Sequence, residues 1–197
     1  MQALGPVAQQ LLIALLLERL LAPVTIAAAA QQLGCSAASV SQAVKALEGC
    51  ALVQSHTQGR ERVVALRDAP ASVWERGRSL LQTPVRQRLR VQRALLPREP
   101  LAWRAAETAL AQRTSLAAAA EPVFALGSRQ WRAMAVDIIP VPVPDVGTCV
   151  LELWRYAPQG TAAPGVVDPL SLYLSLQTSL DERVQLALDE LLETLPW

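Results

Sequence analysis

The stretch from Thr25 to Leu66, TIAAAAQQLGCSAASVSQAVKALEGCALVQSHTQGRERVVAL, decides the fold. Thr25 stands before an alanine-rich run with its hydroxyl placed to cap a helix, and Gly34 follows as a turn. Ser36 can cap a second helix, AASVSQAVKALEG. There Val40, Ala43, Val44 and Leu47 recur at i, i+3, i+4 and i+7 and make one apolar stripe. Gly49 is placed as a C-cap. The next segment, CALVQSHTQGRERVVAL, reads as two extended runs folded back at Gln58-Gly59. Upstream, Val7 to Leu21 carries the apolar spacing of a buried helix that Pro23 stops.

Helix, helix, short turn, helix and β-hairpin in that order resemble a winged helix-turn-helix, and the quoted stretch looks like the MarR-like group of bacterial regulators. The resemblance covers residues 7–67 and implies an N-terminal DNA-binding domain over residues 1–68. A recognition helix lies in the major groove, so its solvent face must be small and polar enough to approach base edges. Ser36, Ser39, Ser41, Gln42 and Lys45 lie off the apolar stripe and are the candidates. Gln42 suits adenine, the serines suit phosphate oxygens or helix capping, and Lys45 suits phosphate. In the wing, Arg60 and Arg62 flank the Gly59 turn with His56 and Gln58 beside them, within reach of backbone or minor groove. Residues 1–68 hold only five basic against four acidic side chains, whereas strong non-specific DNA binders are far more basic. Winged helices also dock proteins, so a protein-docking module that binds a partner such as a toxin is the alternative.

The 197 residues are 52% hydrophobic, 18% charged and 4% aromatic, which excludes a disordered chain and favours helix over sheet. The net charge of +1 conceals an asymmetry. Residues 69–113 hold nine Arg and three Glu, and residues 114–197 hold four Arg against ten acids. Residues 69–99 therefore read as an Arg-rich connector. In it SVWERGRSLLQ looks helical up to Pro84, and VRQRLRVQRALL carries Arg86, Arg88, Arg90 and Arg93. As a strand, 86, 88 and 90 share one face; as a helix, 86, 90 and 93 do. Both forms stay open, as do two roles: added DNA contact, or pairing with the acidic C-terminal half.

Residues 100–197 read as a small α/β domain, making the whole chain α+β: a winged helix-turn-helix, then a short sheet and C-terminal helices. WRAAETALAQRTSLA reads as helix, PVFAL as a short strand, and DIIPVPVPD as an edge strand or extended loop. TCVLELWRY alternates, with Cys149, Leu151 and Leu153 on one side and Val150, Glu152 and Trp154 on the other. After a loop from Pro158 to Gly165 come two helices. Asp168 caps the first, with Pro169 in its first turn, and Ser179 or Asp181 starts the second. The second helix buries Val184, Leu188, Leu191, Leu192 and Leu195. VVDPLSLYLSLQTSLDERVQLALDELLE is similar to the C-terminal signature of AbiEi-type antitoxins, a likeness covering about residues 100–195. That resemblance implies a domain related to nucleotidyltransferases and a winged helix that represses its own operon.

Gly127-Ser128 with Asp137 and Glu152 is the constellation to test for nucleotidyltransferase chemistry, the third reading, as a degenerate enzyme. Asp137 lacks a neighbouring carboxylate, no nucleotide or hydrolase fingerprint occurs, and His56 is the single histidine, so the sequence argues against catalysis. Three cysteines (Cys35, Cys50, Cys149) without CxxC spacing predict buried free thiols, no metal and no cofactor. Met1 to Gln10 carries no basic side chain, and Glu18 and Arg19 interrupt the apolar run, which predicts a cytoplasmic first helix rather than a leader or a membrane span. The expectation is a DNA-binding transcriptional regulator of the repressor type. Its partners would be double-stranded DNA, a second copy in a homodimer, and a protein bound through the C-terminal domain.

Overall fold

The structure is a computed structural model that describes residues 3–96, 102–134, 139–158, 165–195 and 197. The chain divides into two compact units, Met1–Gln82 with Trp197, and Thr83–Pro196. The boundary falls inside the stretch read as a connector (69–99). Its first part is a helix of the first unit and its second part a strand of the second.

The first unit opens with α1 (Pro6–Leu16), begun by Pro6 after Gly5 and buried from Ala8 to Leu16. It is shorter than the expected Val7–Leu21 helix. Glu18 takes a left-handed φ of 52°, and the Ala14 carbonyl accepts from the backbone N–H groups of Arg19 and Leu20, which closes the end. The elements after it follow the expected order: β1 (Val24–Thr25), α2 (Ile26–Leu33), α3 (Ala37–Gly49), β2 (Val53–Gln58) and β3 (Glu61–Leu66). Thr25 caps α2 by accepting from the Ala28 N–H at 3.1 Å, and Gly34 ends it at φ +63°. Val40, Ala43, Val44 and Leu47 are the buried stripe of α3. Gly49 is its last residue rather than its C-cap, and Ala51 takes the left-handed position instead. The sheet order is β1-β3-β2, antiparallel throughout, with Gly59 at φ +64° in the hairpin turn. Pro70 starts α4 (Pro70–Gly77). The buried Gln9 amide then exchanges two hydrogen bonds with the Gln82 backbone, at 2.8 and 2.9 Å, tying the end of the Met1–Gln82 stretch to α1.

The second unit is built on a sheet of order β4-β7-β6-β5: β4 (Val85–Gln92), β5 (Trp103–Arg104), β6 (Val123–Gly127) and β7 (Thr148–Trp154). β6 and β7 run parallel, and the other pairs are antiparallel. The alternation expected of β7 is present. Cys149, Leu151 and Leu153 enter one core with Phe124 and Leu126, against Trp131 and Met134 of α6 (Ser128–Met134). Trp154 enters the other, with residues of α5 (Ala106–Leu110), α7 (Pro169–Leu176) and α8 (Glu182–Glu193). Asp168 caps α7 and Asp181 caps α8, at 2.7 and 2.9 Å. Val184, Leu188 and Leu191 are buried as expected, whereas Leu192 and Leu195 are half-buried.

The long helix expected over WRAAETALAQRTSLA is five residues of α5. Trp103 and Arg104 pair with Ala125 and Phe124 instead, and the Thr114 hydroxyl donates to the Leu110 carbonyl at the helix end. Tertiary pairing outweighs the helix propensity of an alanine-rich run. The segment SRQWRAM forms α6, which the sequence reading did not anticipate. The described part of DIIPVPVPD, from Ile139, is an extended loop whose Val141 N–H donates to the Arg90 carbonyl. Most of the Pro158–Gly165 loop lies outside the described residues.

Candidate nucleic-acid interface

Ser36 sets the start of α3. Its hydroxyl accepts from the Ser39 N–H at 3.1 Å and lies 2.8 Å from the Ser39 hydroxyl, so the capping role expected of the serines falls to this one. Burial of the Val40–Leu47 stripe turns the opposite side outward. Ala38, Gln42, Lys45 and Gly49, at i, i+4, i+7 and i+11, are exposed with Ala46 beside them. Ser39 and Ser41 flank this face half-buried. Apart from Lys45, the chain's single lysine, these side chains are small or uncharged. Ser39, Gln42, Ala43 and Ala46 also line a groove of about 270 Å³ with Gly5, Pro6, Val7 and Ala8 at the start of α1.

In the hairpin, Gly59 and Arg60 form the exposed tip. The register pairs Thr57 with Arg62 and Ser55 with Val64, so Ser55 and Arg62 share one face. His56 and Gln58 are exposed on the other. Arg62, expected to reach DNA, is engaged. Its guanidinium donates to Ser55 Oγ at 2.7 Å and to Glu48 Oε2 at 2.8 Å, while the Ser55 hydroxyl donates to Glu48 Oε1. The Ser55 hydroxyl above all, and then the Arg62 guanidinium, hold the Glu48 carboxyl below its ordinary range, against an opposing effect of burial. The sequence reading passed over Glu48 and Ser55. Their signal was an acid one turn beyond Lys45 and a hairpin arginine of opposite sign. Lys45 and Arg60 have no ion pair among the described residues.

The four arginines between residues 86 and 93 behave differently. Arg88 donates to Glu152 at 2.8 and 3.0 Å, and Arg90 donates to Glu121 at 2.8 and 3.0 Å. Arg93 stacks its guanidinium 3.6 Å over the Phe124 ring. These three are engaged within the second unit, two of them with acids of the C-terminal half. Arg86 occupies a bulge between Val85 and Gln87, which removes it from the face that Arg88 and Arg90 share and leaves it exposed.

The constellation tested for nucleotidyl transfer does not assemble among the described residues. The Ser128 hydroxyl donates to the Trp154 carbonyl at 2.7 Å, and the Gly127 N–H donates to Gln130 Oε1. Glu152 is fully buried and accepts from the Trp154 indole at 2.9 Å as well as from Arg88. Burial pushes its carboxyl above the ordinary range, while the indole and Arg88 oppose that shift. Asp137 lies outside the described residues. Among the described residues no three His, Cys, Asp or Glu side chains converge on a metal position, and no helix is long and apolar enough to cross a membrane. Cys149 is a buried thiol pushed up to about 11 by burial, and Cys35 and Cys50 are half-buried and in no disulfide.

No family model matches the chain, and none of the curated proteins does. Among solved structures the chain is similar to Lactococcus lactis ZitR, a zinc-responsive MarR family member. Identity is 24% over 39% of this chain and 53% of that one, with a TM-score of 0.30. The chain thus spans about half the length of that structure.

Proposed function

We propose that the chain is a DNA-binding transcriptional regulator whose first unit acts as a winged helix-turn-helix. In this reading α3 enters the major groove and the β2–β3 hairpin is the wing. One observation carries it. The outward face of α3 is built of small side chains around Gln42 and Lys45, and the exposed Lys45 lies one turn from Glu48, which is bonded to Arg62, two residues from the exposed tip Arg60. Two unpaired cations thereby flank a surface that can approach a duplex closely. Gln42 is the base-reading candidate, and Lys45 and Arg60 are phosphate contacts.

Arg88, Arg90 and Arg93 lend this reading no strength, because they are engaged inside the second unit, and Arg86 is an exposed cation of that same unit. With two cations at the interface, one copy binds weakly, which favours a homodimer that doubles them. A repressor of the antitoxin type, acting on its own operon in the cytoplasm, is the finer form. Its support is the sequence likeness of the C-terminal half.

The test is a salt titration of binding to the duplex upstream of the protein's own reading frame. Log affinity should fall linearly with log salt. Each of Lys45→Ala and Arg60→Ala should lower the slope by about 0.9 per copy bound. Absent binding at low salt, or a slope indifferent to both changes, sinks the reading in favour of protein docking.

A further inference from the structure

We propose that Glu48, Ser55 and Arg62 form a pin that sets the wing against α3, so that these residues govern DNA affinity by positioning Arg60 without touching DNA themselves. The inference rests on the DNA-binding reading above.

The geometry is specific. Glu48 is the twelfth of thirteen residues of α3, three beyond Lys45 and on the same side of the helix. Its two carboxylate oxygens are met by different elements of the hairpin. Oε1 accepts the Ser55 hydroxyl of β2, and Oε2 accepts the Arg62 guanidinium of β3 at 2.8 Å. Arg62 Nε in turn donates to Ser55 Oγ at 2.7 Å, closing a three-membered ring of hydrogen bonds across both strands. One helix residue therefore holds both strands, at Arg62 two residues from Arg60 and at Ser55 four residues from Gly59. Among the described residues the hairpin has no other side-chain hydrogen bond to α3. Without the ring the tip would rotate about the base of the hairpin, and Arg60 would lose its fixed offset from Lys45.

The ring also explains why a half-exposed arginine in a wing does not itself reach a phosphate. Its planar fork is already directed at Ser55 through the Nε donor and at Glu48 through one terminal nitrogen. The contact that the sequence assigns to Arg62 passes to Arg60, and Arg62 becomes a positioning residue.

The experiment measures salt slopes on a random-sequence B-DNA duplex, where the phosphate contribution is read without any operator, for wild type, Glu48→Gln, Arg60→Ala and the double variant. A pin predicts that Glu48→Gln lowers the slope by about 0.9 per copy, as Arg60→Ala does. Affinity should then change roughly threefold less between 50 and 200 mM salt. The double variant should fall no further than either single one. Ser55→Ala, which removes the hydroxyl between the other two, should repeat the result and stands in if Glu48→Gln does not fold. A mere loss of stability lowers the folded fraction and leaves the slope unchanged. A wild-type slope retained by folded Glu48→Gln or Ser55→Ala, or strictly additive losses, overturns the pin. A wild type without salt-dependent binding overturns the DNA-binding reading itself.

Discussion

Arg88→Met isolates a buried carboxylate, and its effect can be worked out from the geometry. Glu152 is fully buried on the central strand β7, accepting from Arg88 at 2.8 and 3.0 Å and from the Trp154 indole at 2.9 Å. Removing one partner of a fully buried ion pair costs about 3–5 kcal/mol. Arg88 is itself 52% exposed, so water already screens part of that attraction, and the indole bond survives the change. We expect about 2 kcal/mol at pH 8. The pH dependence is the sharper signature. The folded-state carboxyl is already raised above its ordinary value of 4.5 by burial, and losing Arg88 raises it further. Between the unfolded and folded values the unfolded chain has released a proton that the folded chain keeps, so stability falls as pH rises. Urea unfolding of wild type and variant should therefore differ little at pH 4 and diverge towards pH 8. Adding Glu152→Gln should recover all but about 1 kcal/mol, because the amide still accepts from the indole and carries no charge. A loss equal at pH 4 and pH 8, or one the second change does not repair, refutes the reasoning.

Three further outcomes follow from single contacts. Ser36→Ala removes the cap of α3 and should destabilise the first unit by about 1 kcal/mol in thermal unfolding, with Ser36→Gly milder. Gly127→Ala places a Cβ 3.0 Å from Gln130 Oε1 and 3.1 Å from the Ala157 backbone, so the second unit should lose about 1–3 kcal/mol in urea unfolding. The depressed Glu48 carboxyl contributes stability that is complete above its unfolded value and is lost as pH falls through its folded value. Acid titration of wild type should show that loss, and Glu48→Gln should flatten it.

What the sequence disclosed was local. The stripe of α3, the caps Thr25, Ser36 and Asp168, and the two faces of β7 depend on residues within a turn or a pleat of each other, so spacing alone exposes them; for α8 it left Ser179 and Asp181 open. What stayed hidden depends on chain segments meeting. Arg88 and Glu152 are 64 residues apart and Arg90 and Glu121 are 31 apart, so no local pattern could choose between acids and DNA for those arginines. The bulge at Arg86 has no signature in VRQRLRVQ, yet it undoes the strict alternation of 86, 88 and 90. In the candidate interface the exposure of Gln42 and Lys45 followed from the apolar stripe. The capture of Arg62 required helix and hairpin to be placed together.

Because Lys45 is the chain's only lysine, acylation of its amine followed by peptide mapping reports directly on the outward face of α3. The account predicts that saturating duplex DNA at low salt slows acylation of Lys45 sharply, and that raising the salt until DNA dissociates restores the free rate. DNA that is demonstrably bound while Lys45 reacts at its free rate would contradict the account, since the duplex would then lie elsewhere on the molecule.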